Sequence, residues 1–134
     1  MSDVIIFKLK EEPGFFDASE CADGNMSNVP EETICLSLEN AVVTDEGISQ
    51  LPHLAKLRCI DLEATRITDK SMEKIVTFTC LEEVWIEDTE ITDKGFKKLA
   101  ELPNLKYVSF WDTKISDGAF EYLMERLPSL KSEG

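Results

Sequence analysis

Asp88 and Asp112 stand one repeat apart, an interval of 24 (112−88), and each closes a run that carries a tryptophan: EEVWIED at 82–88 and KYVSFWD at 106–112. Carboxylates at matching places in consecutive turns of a coiled chain stand side by side. Such a pair can hold a metal cation or the guanidinium of a partner's arginine. The second chemistry is favoured, because closely spaced carboxylates of the magnesium-binding kind are otherwise missing. Catalysis is poorly provided for. A Ser/His/Asp or Cys/His arrangement needs a base, and the single histidine, His53, falls in LPHL, a turn expected to face solvent. The spacings of Cys21, Cys35, Cys59 and Cys80 are 14, 24 and 21 (35−21, 59−35, 80−59), with no CxxC pair. That is too sparse for a zinc signature. Free thiols, no metal, no cofactor and no catalytic residue are expected.

The chain of 134 residues is one domain by length. Its 43% hydrophobic and 31% charged residues are those of a soluble globular protein. Twenty-seven acidic residues against 14 basic give a net charge of −13. That balance repels nucleic acid and anionic membranes and favours a cationic protein partner, although an acidic surface also serves solubility alone. In the opening MSDVIIFKLKEEPG, Asp3 precedes the apolar run and Lys8 and Lys10 break its end, which is no signal peptide. Nothing approaches the roughly 20 apolar residues of a membrane span. The expectation is a cytoplasmic protein, monomeric or weakly homodimeric.

What positions the carboxylates is a repeat. Thr44-Asp45, Thr68-Asp69, Thr92-Asp93 and Ser116-Asp117 recur at a constant interval of 24 (68−44, 92−68, 116−92), the mark of a solenoid. Upstream of these pairs the apolar places agree: Leu57, Ile60, Leu62, Ile67; Leu81, Val84, Ile86, Ile91; Leu105, Val108, Phe110, Ile115. A more degenerate copy begins at Thr33, with Leu36, Leu38 and Val43. Period-2 alternation in LRCIDL predicts a strand packed on one side. The Thr-Asp pair predicts a helix N-cap, and Leu-Pro at 102–103 and 127–128 predicts helix ends.

The frame L-x-x-L-x-L-x-x-N-x-L, with Thr65, Thr89 and Thr113 where asparagine usually stands, resembles the leucine-rich repeat family over about residues 33–130. The T-x-I-T-D-x-G flavour resembles bacterial members. The resemblance implies an α/β solenoid with a parallel sheet on its concave face and helices on its convex face. Repeats are expected over about 33–56, 57–80, 81–104 and 105–130, with a tail at 131–134. Residues 1–32 do not fit the frame. They are expected to form an N-terminal cap, an edge strand at 4–10 followed by loop from Glu11 to Glu32.

The resemblance also implies that strand residues between the buried ones line the concave face. These are Cys35, Ser37, Glu39; Cys59, Asp61, Glu63; Glu83, Trp85, Glu87; and Tyr107, Ser109, Trp111. Both tryptophans then point into solvent among carboxylates, as binding hot spots do. The expected partner-binding residues are Glu39, Asp61, Glu63, Glu83, Trp85, Glu87, Asp88, Tyr107, Trp111 and Asp112. The expected function is non-catalytic recognition of a basic protein, with an immunity or inhibitor protein against a toxic enzyme such as a cationic nuclease as one form. An adaptor or scaffold subunit is the alternative, without an F-box-like segment in residues 1–32.

Overall fold

The computed structural model describes residues 14–134. The four repeat runs become short strands and two further strands flank them: β1 (Phe15–Asp17), β2 (Cys35–Ser37), β3 (Cys59–Asp61), β4 (Glu83–Trp85), β5 (Tyr107–Ser109) and β6 (Lys131–Glu133). They form one parallel sheet in sequence order. Cys35, Cys59, Glu83, Tyr107 and Lys131 are successive register partners, so the interval seen in the sequence is the length of one coil. Behind the sheet run α1 (Asp45–Ser49), α2 (Met72–Ile75), α3 (Asp93–Lys97) and α4 (Asp117–Arg126), with short 3₁₀ turns beside them. Helices as short as α1, α2 and α3 do not persist alone in water. They are held by side chains stacked in rows: Leu36, Ile60, Val84 and Val108 under the strands, and Ile48, Met72 and Phe96 under the helices, all fully buried. As expected from Leu-Pro, Leu102 leaves the helical region, at φ −86° and ψ 109°.

Two expectations at the ends are corrected. Between Glu11 and Glu32 the described residues are not simply loop: Phe15–Asp17 is the first strand of the sheet, and a 3₁₀ turn spans Asp23–Asn28. Phe15 pairs with Cys35, so this coil is shorter than the others, an interval of 20 (35−15). It was hidden because Ala18 and Ala22 stand where later coils have larger or hydroxylated side chains. The edge strand expected at 4–10 lies outside the described residues. At the other end, Lys131–Glu133 is a sixth strand, because the Phe110 N–H finds the Glu133 carbonyl at 2.7 Å.

The Thr-Asp pair does more than cap. Asp23, Asp45, Asp69 and Asp93 each reach forward one coil. One carboxylate oxygen accepts the backbone N–H of Thr44, Thr68, Thr92 or Ser116 at 2.7–2.8 Å. The other accepts that residue's hydroxyl. The hydroxyls of Thr44, Thr68 and Ser116 in turn accept from first-turn N–H groups of Glu46, Lys70 and Ala119. Thr92 makes no such cap bond. The glycine of the T-D-x-G motif is explained by the same carboxylate: a Cβ on Gly47 or Gly95 would collide with Asp23 Oδ1 or Asp69 Oδ1. Where serine stands instead, Ser71 Oγ donates to Asp45 Oδ1 at 2.6 Å. Burial works against ionising Asp45, but the hydrogen bonds from Ser71 and Thr68 outweigh it and hold the carboxyl below its ordinary value.

Candidate functional site

After each strand the chain turns through a left-handed residue: Asn40 (φ 64°), Ala64 (φ 60°), Asp88 (φ 54°) and Asp112 (φ 58°). Asn and Asp tolerate this region better than other residues with a Cβ. The position of Asp88 and Asp112 therefore has a backbone reason. Asp88 and Asp112 are both exposed. One residue further on, Thr65, Thr89 and Thr113 donate their hydroxyls to the carbonyls of Leu62, Ile86 and Phe110, each at 2.7 Å. They close their own coil, since a threonine side chain is too short to bridge to the next.

The outward strand residues form three rows across the sheet. The first, Cys35, Cys59, Glu83 and Tyr107, is buried throughout. The second holds Ser37, Asp61 and Ser109, all buried, and Trp85, half-buried. The third, Glu39, Glu63, Glu87 and Trp111, is the most open: Glu39 and Glu63 are half-buried, and Trp111 is 52% exposed. The expectation of two freely exposed indoles is thus met at Trp111 alone. Trp85 tilts against Tyr107, with ring centroids 5.1 Å apart, and its Nε1 donates to Glu83 Oε1 at 3.3 Å. Burial, a hydrogen bond with Glu133 and nearby carboxylates push the Tyr107 hydroxyl above its usual range.

Parallel register also brings carboxylates together that are far apart in sequence. An oxygen from each of Glu39, Asp61 and Glu63 lies within 4.8 Å of the others. Glu87 joins them from the β4 coil, hydrogen-bonded to Glu63 and receiving the hydroxyl of Ser109. Asp61 Oδ1 accepts the backbone N–H of Glu63 at 2.9 Å. Burial first, then the charges of Glu87, Asp61 and Glu39, push the Glu63 carboxyl up to about 7. Among the described residues, no lysine or arginine pairs with Glu39, Glu63 or Glu87.

Several basic side chains are engaged elsewhere. Arg58 grips Glu82 with Nε and Nη2 at 3.1 and 3.2 Å, and Lys106 adds a contact at 3.5 Å. Burial disfavours the charge on Glu82, but these cations outweigh it and lower its carboxyl. Lys114 meets Glu90 at 3.5 Å. All four cysteines are free, and no helix among the described residues is long and apolar enough to cross a membrane. His53 is exposed on its turn, as expected.

No protein-family model and no curated protein matches the sequence. Solved structures do match in fold. An internalin C2 from Listeria monocytogenes superposes with a TM-score of 0.61 at 24% identity, covering 76% of this chain and 41% of that one. The actin-binding site 2 of leiomodin-1 gives 0.62 at 15% identity, covering 83% of this chain and 75% of that one. A second Listeria monocytogenes internalin gives 0.51 at 12% identity, covering 77% and 35%. The chain spans under half the length of either internalin. The fold is that of the leucine-rich repeats, an α/β solenoid, as the sequence resemblance implied.

Proposed function

We propose that this chain is a non-catalytic binding module whose concave face takes a basic protein partner. The observation that carries the reading is the crowding of Glu39, Asp61, Glu63 and Glu87, tight enough to hold the Glu63 carboxyl near neutral pH. Like charges gathered on an outer face cost stability, and a partner's lysine or arginine relieves that cost. Trp111 supplies the apolar anchor beside them, and Asp88 and Asp112 extend the charge along the rim. Glu83, Tyr107 and the inner part of Trp85 lie beneath, where they support the surface rather than meet the partner. Steering of a cationic protein follows from the net charge of −13.

A small acidic binder of this kind suits an immunity or inhibitor role against a toxic cationic enzyme, working in the cytoplasm. Charge favours this over the adaptor reading, because a single strongly acidic face selects one class of partner. Immobilised wild-type chain is compared with Glu63→Lys, Glu87→Lys and Trp111→Ala chains as affinity matrices. The expected result is one cationic protein retained by the first and lost from the others, with affinity falling steeply between low and high salt. If that protein is an enzyme, its activity titrates away at one chain per enzyme. Retention that ignores both salt and the three substitutions refutes the face, and full enzyme activity in the complex returns the choice to an adaptor.

A further inference from the structure

Cys35 and Cys59 are register partners on β2 and β3, and both thiols are wholly buried. Their side chains are hydrogen-bonded to each other. They form a cluster separate from the main core, with Phe15 and Trp85 packed against it. Small apolar filling is the bland role for such a pair, but the sheet's dimensions suit them to more. Parallel neighbours in register stand about 4.8 Å apart with their Cβ atoms on the same face. A disulfide asks for Cβ atoms about 3.8 Å apart, so oxidation must pinch the strands together. Two metal–sulfur bonds of about 2.3 Å laid end to end span about 4.6 Å, close to the spacing of the two strands that carry the sulfurs. A tetrahedral zinc cage is not on offer. Among the described residues the one grouping of three or more metal-ligating side chains is Glu39, Asp61 and Glu63, which includes neither cysteine.

We propose that Cys35 and Cys59 are a two-coordinate clamp for a soft, thiophilic cation held in line between their sulfurs. Binding releases one proton from each thiol to solvent and forms two sulfur–metal bonds, with no change of oxidation state. Thiolate selects soft ions over the hard ions that the nearby carboxylates prefer. A monovalent ion leaves the clamp with a charge of −1 near Asp61 and Glu83, whose charges already act on Cys59. A divalent ion leaves it neutral, so mercury(II) is held more tightly than silver(I). The clamp is independent of the partner proposed for the outer row.

The test uses the full reduced chain carrying Cys21→Ser and Cys80→Ser, titrated to equilibrium with mercury(II) or silver(I) alone. The expected outcome is one ion per chain, two protons released, and quenching of Trp85 emission that persists in a Trp111→Phe background. Adding Cys35→Ala or Cys59→Ala, with folding checked by circular dichroism, weakens binding at least tenfold. Unchanged stoichiometry in those variants overturns the clamp. So does a folded parent that takes up no ion, even when refolded in its presence, and that result does not depend on the variants folding.

Discussion

Single residues here are asked to do unfavourable things, and two of them predict measurable consequences. Ala64 occupies the left-handed turn at φ 60° that Asn40, Asp88 and Asp112 fill with side chains suited to it. A left-handed residue with a Cβ costs roughly 1–2 kcal/mol, so Ala64→Gly or Ala64→Asn is expected to stabilise the chain by about 1 kcal/mol in urea unfolding. Glu63 has the opposite sign from an ordinary carboxylate. Its folded value of about 7 lies above its reference of 4.5, so the folded state binds the extra proton between those two values. Stability from this group is complete below about 4.5 and is lost as pH rises to about 7. Glu63→Gln is therefore expected to raise Tm at pH 8 and to leave it nearly unchanged at pH 4.5. The gain at high pH is about 1–2 kcal/mol after allowing for solvent screening. An equal gain at both pH values contradicts the crowding argument. Glu39, Glu63 and Glu87 follow one another at the repeat interval of 24, so their adjacency was legible in the spacing. The approach of Asp61, which bonds the Glu63 N–H and joins the same cluster, was not, because it depends on the local turn after β3.

At the scale of the coil, the forward-reaching aspartates are the joints. Asp69 accepts both the N–H and the hydroxyl of Thr92, and hydrogen bonds to a charged group contribute about 1.5–3 kcal/mol each. Asp69→Ala is expected to cost about 2–4 kcal/mol on that scale. A double-mutant cycle with Thr92→Val should show strong coupling, whereas a mere capping role for Thr92 gives none. Gly95→Ala is expected to cost about 1–3 kcal/mol by pressing on the same carboxylate, and Gly95→Ser less, since Ser71 shows a hydroxyl donating there. The depressed carboxyls of Asp45 and Asp93 add stability above about pH 4 that disappears as pH falls through their folded values. The repeat length, the strand positions and the helix ends at Leu102 and Leu127 could be read from spacing alone. The joints could not, because Asp45 and Thr68 look like separate local caps until the coil closes and brings them 2.8 Å apart. The shorter first coil escaped for a related reason: its alanines remove the pattern while its backbone keeps it.

Across the whole molecule, charge is partitioned. Arg58 and Lys106 share the carboxylate of Glu82 in one ion cluster beside the strands, while the outer concave row keeps its negative charge. Iodide should quench Trp111 strongly and Trp85 weakly in the free chain, and quenching of Trp111 should fall when a partner binds. Equal quenching of both indoles contradicts the layered face.

The aspartate joints also have a direction. Each coil supplies the carboxylate and its successor supplies the hydroxyl, and the same exchange recurs from Asp45 through Asp93. Nothing in that exchange counts coils. A tandem duplicate of residues 81–104 placed after Pro103-Asn104 should find Asp93 waiting for its threonine and present an identical aspartate to Ser116. The fold is extensible, and one more glutamate-tryptophan-glutamate tread on the inner stair is expected to melt no lower than the parent.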